Sequence, residues 1–331
     1  MAVYTEVSAD EADALLRQLK LGALKTLQAC SGGIENTNYF VTATSNGECR
    51  DYVLTLFERL TFKQLPFYLR LMKHLAQRGI PVPDPSANAQ GDLVFEVKGK
   101  PAAVVTKLRG KSELAPTPAH CFLVGSTLAR MHLAGRDFPL TQPNLRGLAW
   151  WNQTAPVVQP YLNASQAALL QGELAYQNHI AASSNFGALP RGPIHADLFR
   201  DNVMFEGRSG EPQLSGFFDF YFAGVDSWLF DLAVCLNDWC VNLATSTHDP
   251  ERFQSFMRAY NAVRPLQAPE LALLPAMLCG AALRFWISRL WDYHLPRIAS
   301  LLKAHDPGHF EQVLRERVMN PVHSNVSASC A

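Results

Sequence analysis

The stretch that decides the fold is HADLFRDN, from His195 to Asn202. It places a histidine, a carboxylate and a carboxamide in the spacing H-x-D-x-x-x-x-N, between the apolar segments GPI and VMFE. Apolar runs on both sides of a polar cluster predict a short strand, a loop and a second short strand. A further carboxylate, Asp219, follows seventeen residues after Asn202 within the apolar segment FFDFY.

These side chains suit phosphoryl transfer from ATP. That reaction needs a carboxylate to orient or deprotonate the acceptor hydroxyl, and oxygen ligands for the Mg²⁺ ions that bridge the phosphates. In this interpretation Asp197 faces the acceptor hydroxyl, while Asn202 and Asp219 supply a neutral and an anionic oxygen to the metal. His195 would hold the loop in shape through its ring nitrogens. The alternative is that these polar residues only cap and turn a loop.

The chain before this loop is rich in strand signals. The segments NTNYFVTATS and CRDYVLTLFE flank Asn46-Gly47, and DLVFEV and PAAVVTKL flank Lys98-Gly99, which predicts two β-hairpins. Apolar residues at helical spacing predict a helix between the hairpins, ending at Gly79, and a short N-terminal helix over about 9–20. Residues 1–108 are therefore predicted to form an α+β N-terminal lobe, an antiparallel sheet with one crossing helix.

Residues 109–331 are predicted to form a mainly helical C-terminal lobe that carries the catalytic loop. Thr117-Pro118 is typical of a helix start, and further helices are predicted at about 164–181 and from about Trp228. The segment PNLRGLAWW is predicted to be a loop, and the polar tail after about 319 to be loose. The predicted fold class is thus α+β, with two lobes.

Composition narrows the possible partners. The chain has 331 residues, with 29 Lys and Arg against 29 Asp and Glu. A net charge of zero gives no sign of a nucleic acid or a membrane surface as partner and favours a small molecule. The seven cysteines form no C-x-x-C pair, which favours reduced thiols. No signal peptide or membrane span is evident, so a cytoplasmic location is predicted.

The catalytic pattern resembles that of the aminoglycoside-phosphotransferase and choline-kinase-like superfamily, small-molecule relatives of the protein kinases. Their pattern is H-G-D-x-x-x-x-N, then an Asp after the next strand, then D-L-A on a helix. Here it becomes His195-Ala196-Asp197, Asn202, Asp219 and Asp231-Leu232-Ala233. The longer segments GGIENTNYFV, YVLTLFER, HCFLVGSTLARMHLA and ALRFWISRL are similar to the bacterial homoserine kinases of the threonine pathway.

Over residues 25 to 300, that resemblance implies a protein-kinase-like fold. It also implies ATP and Mg²⁺ as cofactors and phosphorylation of the side-chain hydroxyl of L-homoserine. By the same resemblance, backbone groups near Lys107 and Leu108 would bind adenine.

The chain departs from the superfamily at three places. Ala196 replaces a glycine, which we expect to matter little because both residues are small. Related kinases place a Lys or Arg where Thr55 stands in YVLTLF, and the following helix has no acidic residue to partner such a cation. A different phosphate clamp is therefore expected, from Arg59 or from the backbone of the loop around Gly32-Gly33 and Asn38. The alternatives are that Arg59 is a solvated strand-end residue and that the glycines form a plain turn.

An amino-acid acceptor needs a cation and an anion near the catalytic carboxylate. Arg284, in the aromatic segment LRFWISRLWDY, is the candidate for the acceptor carboxylate, because a guanidinium can meet a carboxylate with two hydrogen bonds. Asp226, Asp238 and Asp201 are all candidates for the ammonium. The alternative is that the arginine pairs with an acidic residue of a neighbouring helix for structural reasons.

Two other functions remain open from the sequence. The acceptor could be choline, ethanolamine, an aminoglycoside or another amino alcohol, for which no arginine is needed. The missing strand lysine would also fit a non-catalytic nucleotide-binding pseudokinase, although the presence of His195, Asp197, Asn202 and Asp219 together argues against it.

Overall fold

The computed structural model describes residues 5–30, 36–208, 211–295 and 305–322. The chain divides into two compact units, Met1–Arg109 and Gly110–Ala331. In chain order, the elements of the first unit are α1 (Ala9–Gln18), β1 (Ala23–Ala29), β2 (Asn36–Ser45), β3 (Glu48–Phe57), α2 (Leu65–Gln77), β4 (Phe95–Val97) and β5 (Lys100–Thr106).

The five strands of the first unit form one antiparallel sheet in the order β1-β2-β3-β5-β4. Both predicted hairpins are present. Asn46 and Gly47 have φ angles of 51° and 81°, and Lys98 and Gly99 have 55° and 73°. Two successive left-handed residues make a turn whose twist matches that of the flanking strands, which is why these dipeptides signal hairpins.

The edge strand β1 is not predicted by the sequence. Its apolar residues Leu24 and Leu27 are three positions apart, whereas a half-buried strand normally shows a period of two. The structure explains the spacing, because the pairing of β1 with β2 shifts register between Leu24 and Thr26. With this bulge, both leucines pack against the same core.

Helix α1 covers one face of this sheet. Its start matches the predicted capping box, since the Glu11 N–H donates to the Ser8 Oγ at 3.3 Å and the Ser8 N–H donates to the Glu11 carboxylate at 2.9 Å. Leu15 and Leu16 of the helix pack into a core that includes Leu54 of β3.

The second unit is mainly helical. In chain order, its elements are α3 (Pro118–Ala134), α4 (Leu148–Val158), α5 (Ala164–Ala181), α6 (Ser184–Gly187), β6 (Arg191–Ile194), β7 (Val203–Arg208), β8 (Glu211–Phe217), β9 (Gly224–Ser227), α7 (Trp228–Trp239), α8 (Pro250–Val263), α9 (Ala268–His294) and α10 (Gly308–Met319). Strands β6 and β9 form one antiparallel pair and β7 and β8 another. The predicted α+β organisation, an antiparallel sheet with a crossing helix followed by a mainly helical part, is confirmed.

Four elements of this unit are not predicted from the sequence: α4, the short helix α6, β9 and α10. Helix α4 occupies half of the segment PNLRGLAWW predicted as a loop; it begins after Gly147, which offers no side-chain cap. Strand β9 has only four residues. Helix α10 buries Phe310, Val313, Leu314 and Arg317, which follow a helical spacing in the sequence.

Helix α9 is the central packing element of the unit. Among the described helices, it alone is long and apolar enough to cross a membrane, with a mean hydropathy of 1.6 over its best window. However, 78% of that window is buried inside the protein, as expected of a core helix. Helices α4, α5, α6, α7 and α10 all pack against it.

One carboxyl group lies inside this helical packing. The side chain of Glu173 on α5 is 7% exposed and accepts a hydrogen bond from the Gln177 Nε2 at 2.7 Å. Burial raises the pKa of Glu173 from 4.5 to about 7, although the hydrogen bond from Gln177 opposes the rise. Between these pH values the folded chain holds a proton that the unfolded chain has released.

We therefore expect the free energy of unfolding to fall as the pH rises from about 4.5 to about 7. The change Glu173→Gln keeps the shape and removes the titration, so it should remove on the order of 2 kcal/mol of this pH dependence. Urea unfolding at about pH 5 and about pH 8 measures the difference, with the exposed Glu251 changed to Gln as control. An unchanged pH dependence in Glu173→Gln would contradict the assignment.

Candidate active site

The start of the loop that follows β6 is anchored by hydrogen bonds to one carboxylate. Asp231, on α7, is fully buried; its Oδ2 accepts the N–H of His195 at 2.9 Å and its Oδ1 accepts the N–H of Ala196 at 2.8 Å. The His132 Nε2 on α3 lies 3.1 Å from the same Oδ2. Three donors from two separate segments thus converge on Asp231.

These donors decide the charge of Asp231. Burial alone would raise the pKa of this carboxyl, but the hydrogen bond from His132 and the backbone N–H of His195 outweigh it and lower the pKa. His132 is also fully buried, and burial lowers its pKa against the pull of Asp231. Since the Tyr260 hydroxyl lies 2.8 Å from the His132 Nδ1, this histidine is a neutral core residue that donates through Nε2.

Ala196 has a backbone conformation that its side chain disfavours. Its φ angle is +66°, in the left-handed region that costs an L-residue about 1–2 kcal/mol and glycine much less. The expectation that replacing glycine by alanine here matters little because both residues are small is therefore wrong. The hydrogen bond from the Ala196 N–H to Asp231 helps to hold the strained residue in place.

A second link ties the loop to the residues just after β8, which include Asp219. The His195 Nε2 donates to the carbonyl of Phe218 at 2.8 Å, and the Phe218 N–H donates to the carbonyl of Asn202 at 3.0 Å. The Asp197 N–H donates to the other ring nitrogen of His195 at 3.3 Å. Burial lowers the pKa of His195, so the ring stays neutral and can donate through Nε2 while accepting through Nδ1.

The predicted catalytic carboxylate, Asp197, is only partly covered. Its side chain is 18% exposed, and its Oδ1 lies 3.5 Å from the Nη1 of Arg284. Burial raises the pKa of Asp197 to about 7; Arg284 opposes the rise, and the charges of Asp219 and Asp201 add to it. A carboxyl group with such a pKa can take a proton from a hydroxyl and release it again near neutral pH.

Asn202 and Asp219 form a donor set that fits a magnesium ion. The Asn202 Nδ2 donates to the carbonyl of Asp197 at 2.8 Å, which leaves its amide oxygen as a possible ligand. Asp219 directly follows Phe218, whose N–H is bonded to Asn202, so backbone pairing brings the two together. Within the described ranges, no group of three or more His, Cys, Asp and Glu could hold a metal. Mg²⁺ needs no such cage, because it typically binds one or two protein oxygens together with phosphates and water.

Two of the three predicted ammonium ligands, Asp226 and Asp238, have arginine partners. Asp238 accepts a hydrogen bond from the backbone N–H of Arg200 at 2.8 Å and another from the Arg200 Nε at 3.1 Å. Asp226 accepts a hydrogen bond from the Arg191 Nη2 at 2.7 Å. The Arg200 pair is nearly buried, so breaking it would leave an uncompensated charge. Asp238 is therefore not available to an ammonium group without that cost, whereas the pair of Asp226 with Arg191 is more exposed. Helix α7 thus uses Asp231 and Asp238 to fix both ends of the loop.

The residues predicted to bind nucleotide lie in the first unit. Gly32 and Gly33 fall outside the described residues. Asn38 accepts a hydrogen bond from the Thr55 Oγ1 at 2.7 Å, so the threonine in the lysine position is satisfied within the sheet.

The other three predicted nucleotide residues also belong to that unit. Arg59 is exposed just beyond β3. The Lys107 Nζ lies 4.2 Å from the centre of the Phe40 ring, and the Lys107 N–H donates to the Asp51 carbonyl at 3.1 Å. Because this N–H is already used, adenine would have to bind other backbone groups of the segment, such as those of the half-buried Leu108.

The chain is similar to known proteins over most of its length. The model of the phosphotransferase enzyme family matches residues 26–272. A homoserine kinase from Polaromonas naphthalenivorans is 65% identical over 321 residues, covering 97% of this chain and 99% of its own. A homoserine kinase from Cupriavidus metallidurans is 56% identical over 319 residues, covering 96% and 97%.

Solved structures share the architecture at much lower identity. The amicoumacin kinase hAmiN, in complex with AMP-PNP, Ca²⁺ and Ami, has a TM-score of 0.66 and 18% identity, with 95% of each chain covered. The microcompartment-associated aminopropanol kinase has a TM-score of 0.62 and 16% identity, with 94% of each chain covered. These likenesses confirm the predicted kinase-like fold and carry no further weight.

The change Asp231→Asn should destabilise the protein and loosen the loop after β6. In Asp231→Asn, one oxygen becomes an NH₂ group that cannot accept, so one of the three buried donors loses its acceptor. We expect the free energy of unfolding to fall by about 3 kcal/mol. Hydrogen exchange at the amides of His195 and Ala196 should accelerate, with the buried amides of α3 as internal reference. Unchanged exchange at both amides would contradict the role given to Asp231.

Proposed function

Because the chain belongs to the phosphotransferase enzyme family, we propose that it transfers the γ-phosphoryl group of ATP to the side-chain hydroxyl of L-homoserine. The products are O-phospho-L-homoserine and ADP. The observation that carries this proposal is the close similarity to homoserine kinases over nearly the whole length of both chains. The arrangement of Asp197, Asn202 and Asp219 around one loop supplies the chemistry that such a transfer needs.

Asp197 acts on the acceptor hydroxyl. Its carboxylate accepts the hydrogen bond of the hydroxyl and directs the oxygen towards the γ-phosphorus. As the new O–P bond forms, the bond from the γ-phosphorus to the bridging oxygen breaks, ADP leaves, and the hydroxyl proton passes to Asp197. The partial exposure of Asp197 lets the acceptor reach it, while the buried hydrogen bonds below it fix its position.

Asn202 and Asp219 would hold Mg²⁺. A bound Mg²⁺ ion would neutralise charge on the transferred phosphate and orient it. The chain's own contribution is to keep the two ligands in place, which the hydrogen bonds of Phe218 to His195 and Asn202 do. Catalysis then rests on positioning and on charge neutralisation.

The remaining features of the proposal follow from this activity. The partner is a small molecule, since neither the neutral composition nor the site calls for a nucleic acid or a membrane. A reaction that consumes ATP and makes an amino-acid phosphate would take place in the cytoplasm, where the reduced cysteines of this chain also fit.

Asp197→Asn tests the assignment of the base. We expect kcat for L-homoserine to fall by about 10²–10⁴, because the amide cannot accept the hydroxyl proton, while binding of Mg·ATP is retained. A coupled ATP assay with L-homoserine, L-serine, choline, ethanolamine and kanamycin measures this, with the exposed Glu206 on β7 changed to Gln as control. Turnover with choline or kanamycin instead of homoserine would refute the proposed acceptor, and full activity of Asp197→Asn would refute the base.

Asp219→Asn tests the metal site. Loss of the anionic ligand should raise the Mg²⁺ concentration needed for half-maximal activity by at least about tenfold, because charge on the ligands sets the affinity for a hard cation. A titration of activity against Mg²⁺ at saturating ATP measures the shift, again with Glu206→Gln as control. A metal requirement equal to that of the wild type would argue that Asp219 is not a ligand.

A further inference from the structure

Arg284 is a buried cation directly beside the proposed base. Its side chain is 3% exposed, and its Nη1 reaches the Asp197 Oδ1 at 3.5 Å, the long end of the hydrogen-bonding range. Its Nε is buried and has no hydrogen-bond partner among the residues that the structure describes. A buried guanidinium normally satisfies its donors, so an incompletely used one points to a missing partner.

Aromatic rings fix the orientation of this guanidinium. The Arg284 Cζ lies 3.7 Å from the centre of the Phe285 ring and 5.4 Å from that of Phe222. Ring faces attract the flat side of a guanidinium and leave the N–H groups along its edge. A planar anion such as a carboxylate can therefore meet Arg284 edge to edge with two hydrogen bonds.

Two further arginines act on Arg284 through their charges. Burial, together with the charges of Arg146 and Arg289, lowers the pKa of Arg284 to about 10, while Asp197 opposes the change. Arg289 is half-buried on the same helix, α9, and forms no hydrogen bond or ion pair within the described part of the chain. Carboxylates of Asp197 and Asp292 offset part of the mutual repulsion of these arginines.

We propose that the carboxylate of the acceptor binds Arg284, with Arg289 adding to the positive potential, and that this contact frees Asp197 for the acceptor hydroxyl. The inference rests on the proposed function and names what selects the acceptor. In homoserine the carbon that carries the hydroxyl and the carbon that carries the carboxylate are separated by one methylene group. An acceptor of this length can contact Asp197 and Arg284 at once, because the two side chains adjoin each other.

The same arrangement rejects acceptors that lack a carboxylate. With such a molecule in the site, Arg284 keeps only its long contact to Asp197, and the Arg284 Nε stays without a partner. A site with an unsatisfied buried donor binds the incomplete ligand poorly, so discrimination comes from what is left unpaired. The base also stays engaged with Arg284, so kcat as well as KM should be unfavourable for that acceptor.

The test compares L-homoserine with 3-aminopropan-1-ol, which is homoserine without its carboxylate. Steady-state kcat and KM are measured for the wild type, Arg284→Met and Arg284→Lys. We expect Arg284→Met to lower kcat/KM for homoserine by about 100-fold or more while kcat/KM for 3-aminopropan-1-ol stays level or rises. Arg284→Lys should lie between, because it keeps the charge and loses the planar fork.

Two readouts guard against a merely structural effect. KM for ATP should stay within about threefold in all variants, and the exposed Arg258 on α8, changed to Met, serves as a matched control. If Arg284→Met fails to fold, inhibition by L-2-aminobutyrate, which has the carboxylate but no hydroxyl, is compared with inhibition by propylamine. Arg284→Lys should weaken the first by at least about tenfold and leave the second unchanged.

An equal loss for both acceptors, or equal inhibition of wild type and Arg284→Lys by L-2-aminobutyrate, would overturn the assignment of Arg284. A wild-type protein that does not phosphorylate homoserine would instead refute the proposed function itself. The two failures are therefore distinguishable in one set of assays.

Discussion

The buried carboxylate of Asp231 is the constraint on which the site depends. A charge with no exposure to water is tolerable only when donors surround it, and here two backbone N–H groups and one imidazole do so. The backbone donors belong to His195 and Ala196. The same two hydrogen bonds therefore satisfy the carboxylate and fix the conformation of the loop. The left-handed strain at Ala196 is acceptable for that reason, since relaxing it would strip a buried charge of its partner.

From this anchor the order of the site spreads by short steps. His195, held at its N–H, uses its ring to hold the Phe218 carbonyl, and Phe218 in turn pairs with Asn202. Each link is an ordinary hydrogen bond. Together these bonds fix the positions of Asp197, Asn202 and Asp219 mainly through neighbouring groups. The proposed catalytic groups stay partly exposed because their support is provided by residues that are fully buried.

Many elements of the fold, and the residues of the candidate site, could be predicted from the sequence because they depend on local sequence signals. The hairpin at Asn46-Gly47, the start of α3 at Thr117-Pro118 and the strand–loop–strand around His195 depend on neighbouring residues, whose preferences are known in advance. The spacing around HADLFRDN also gave the site residues that the proposed function uses.

The features that could not be predicted from the sequence depend on distant residues or on backbone geometry. The bulge in β1 hides the strand period, and the ion pair of Arg200 with Asp238 joins positions 38 residues apart. The sequence shows that Asp226 and Asp238 are acidic, but it does not show which arginine each of them pairs with. The same limit applies to Arg284, whose nearness to Asp197 spans 87 residues and is set by the packing of α9.

The position of Arg284 has a consequence for how such enzymes diversify. Asp197 and Asn202, proposed to act in phosphoryl transfer, lie on the loop after β6, which α7 holds through Asp231, whereas Arg284 lies on α9. With the proposed role of Arg284, a substitution on α9 would alter which alcohol is accepted without disturbing the groups proposed to handle the phosphate. Selection for a new acceptor would then act on one helix and leave the transfer reaction intact.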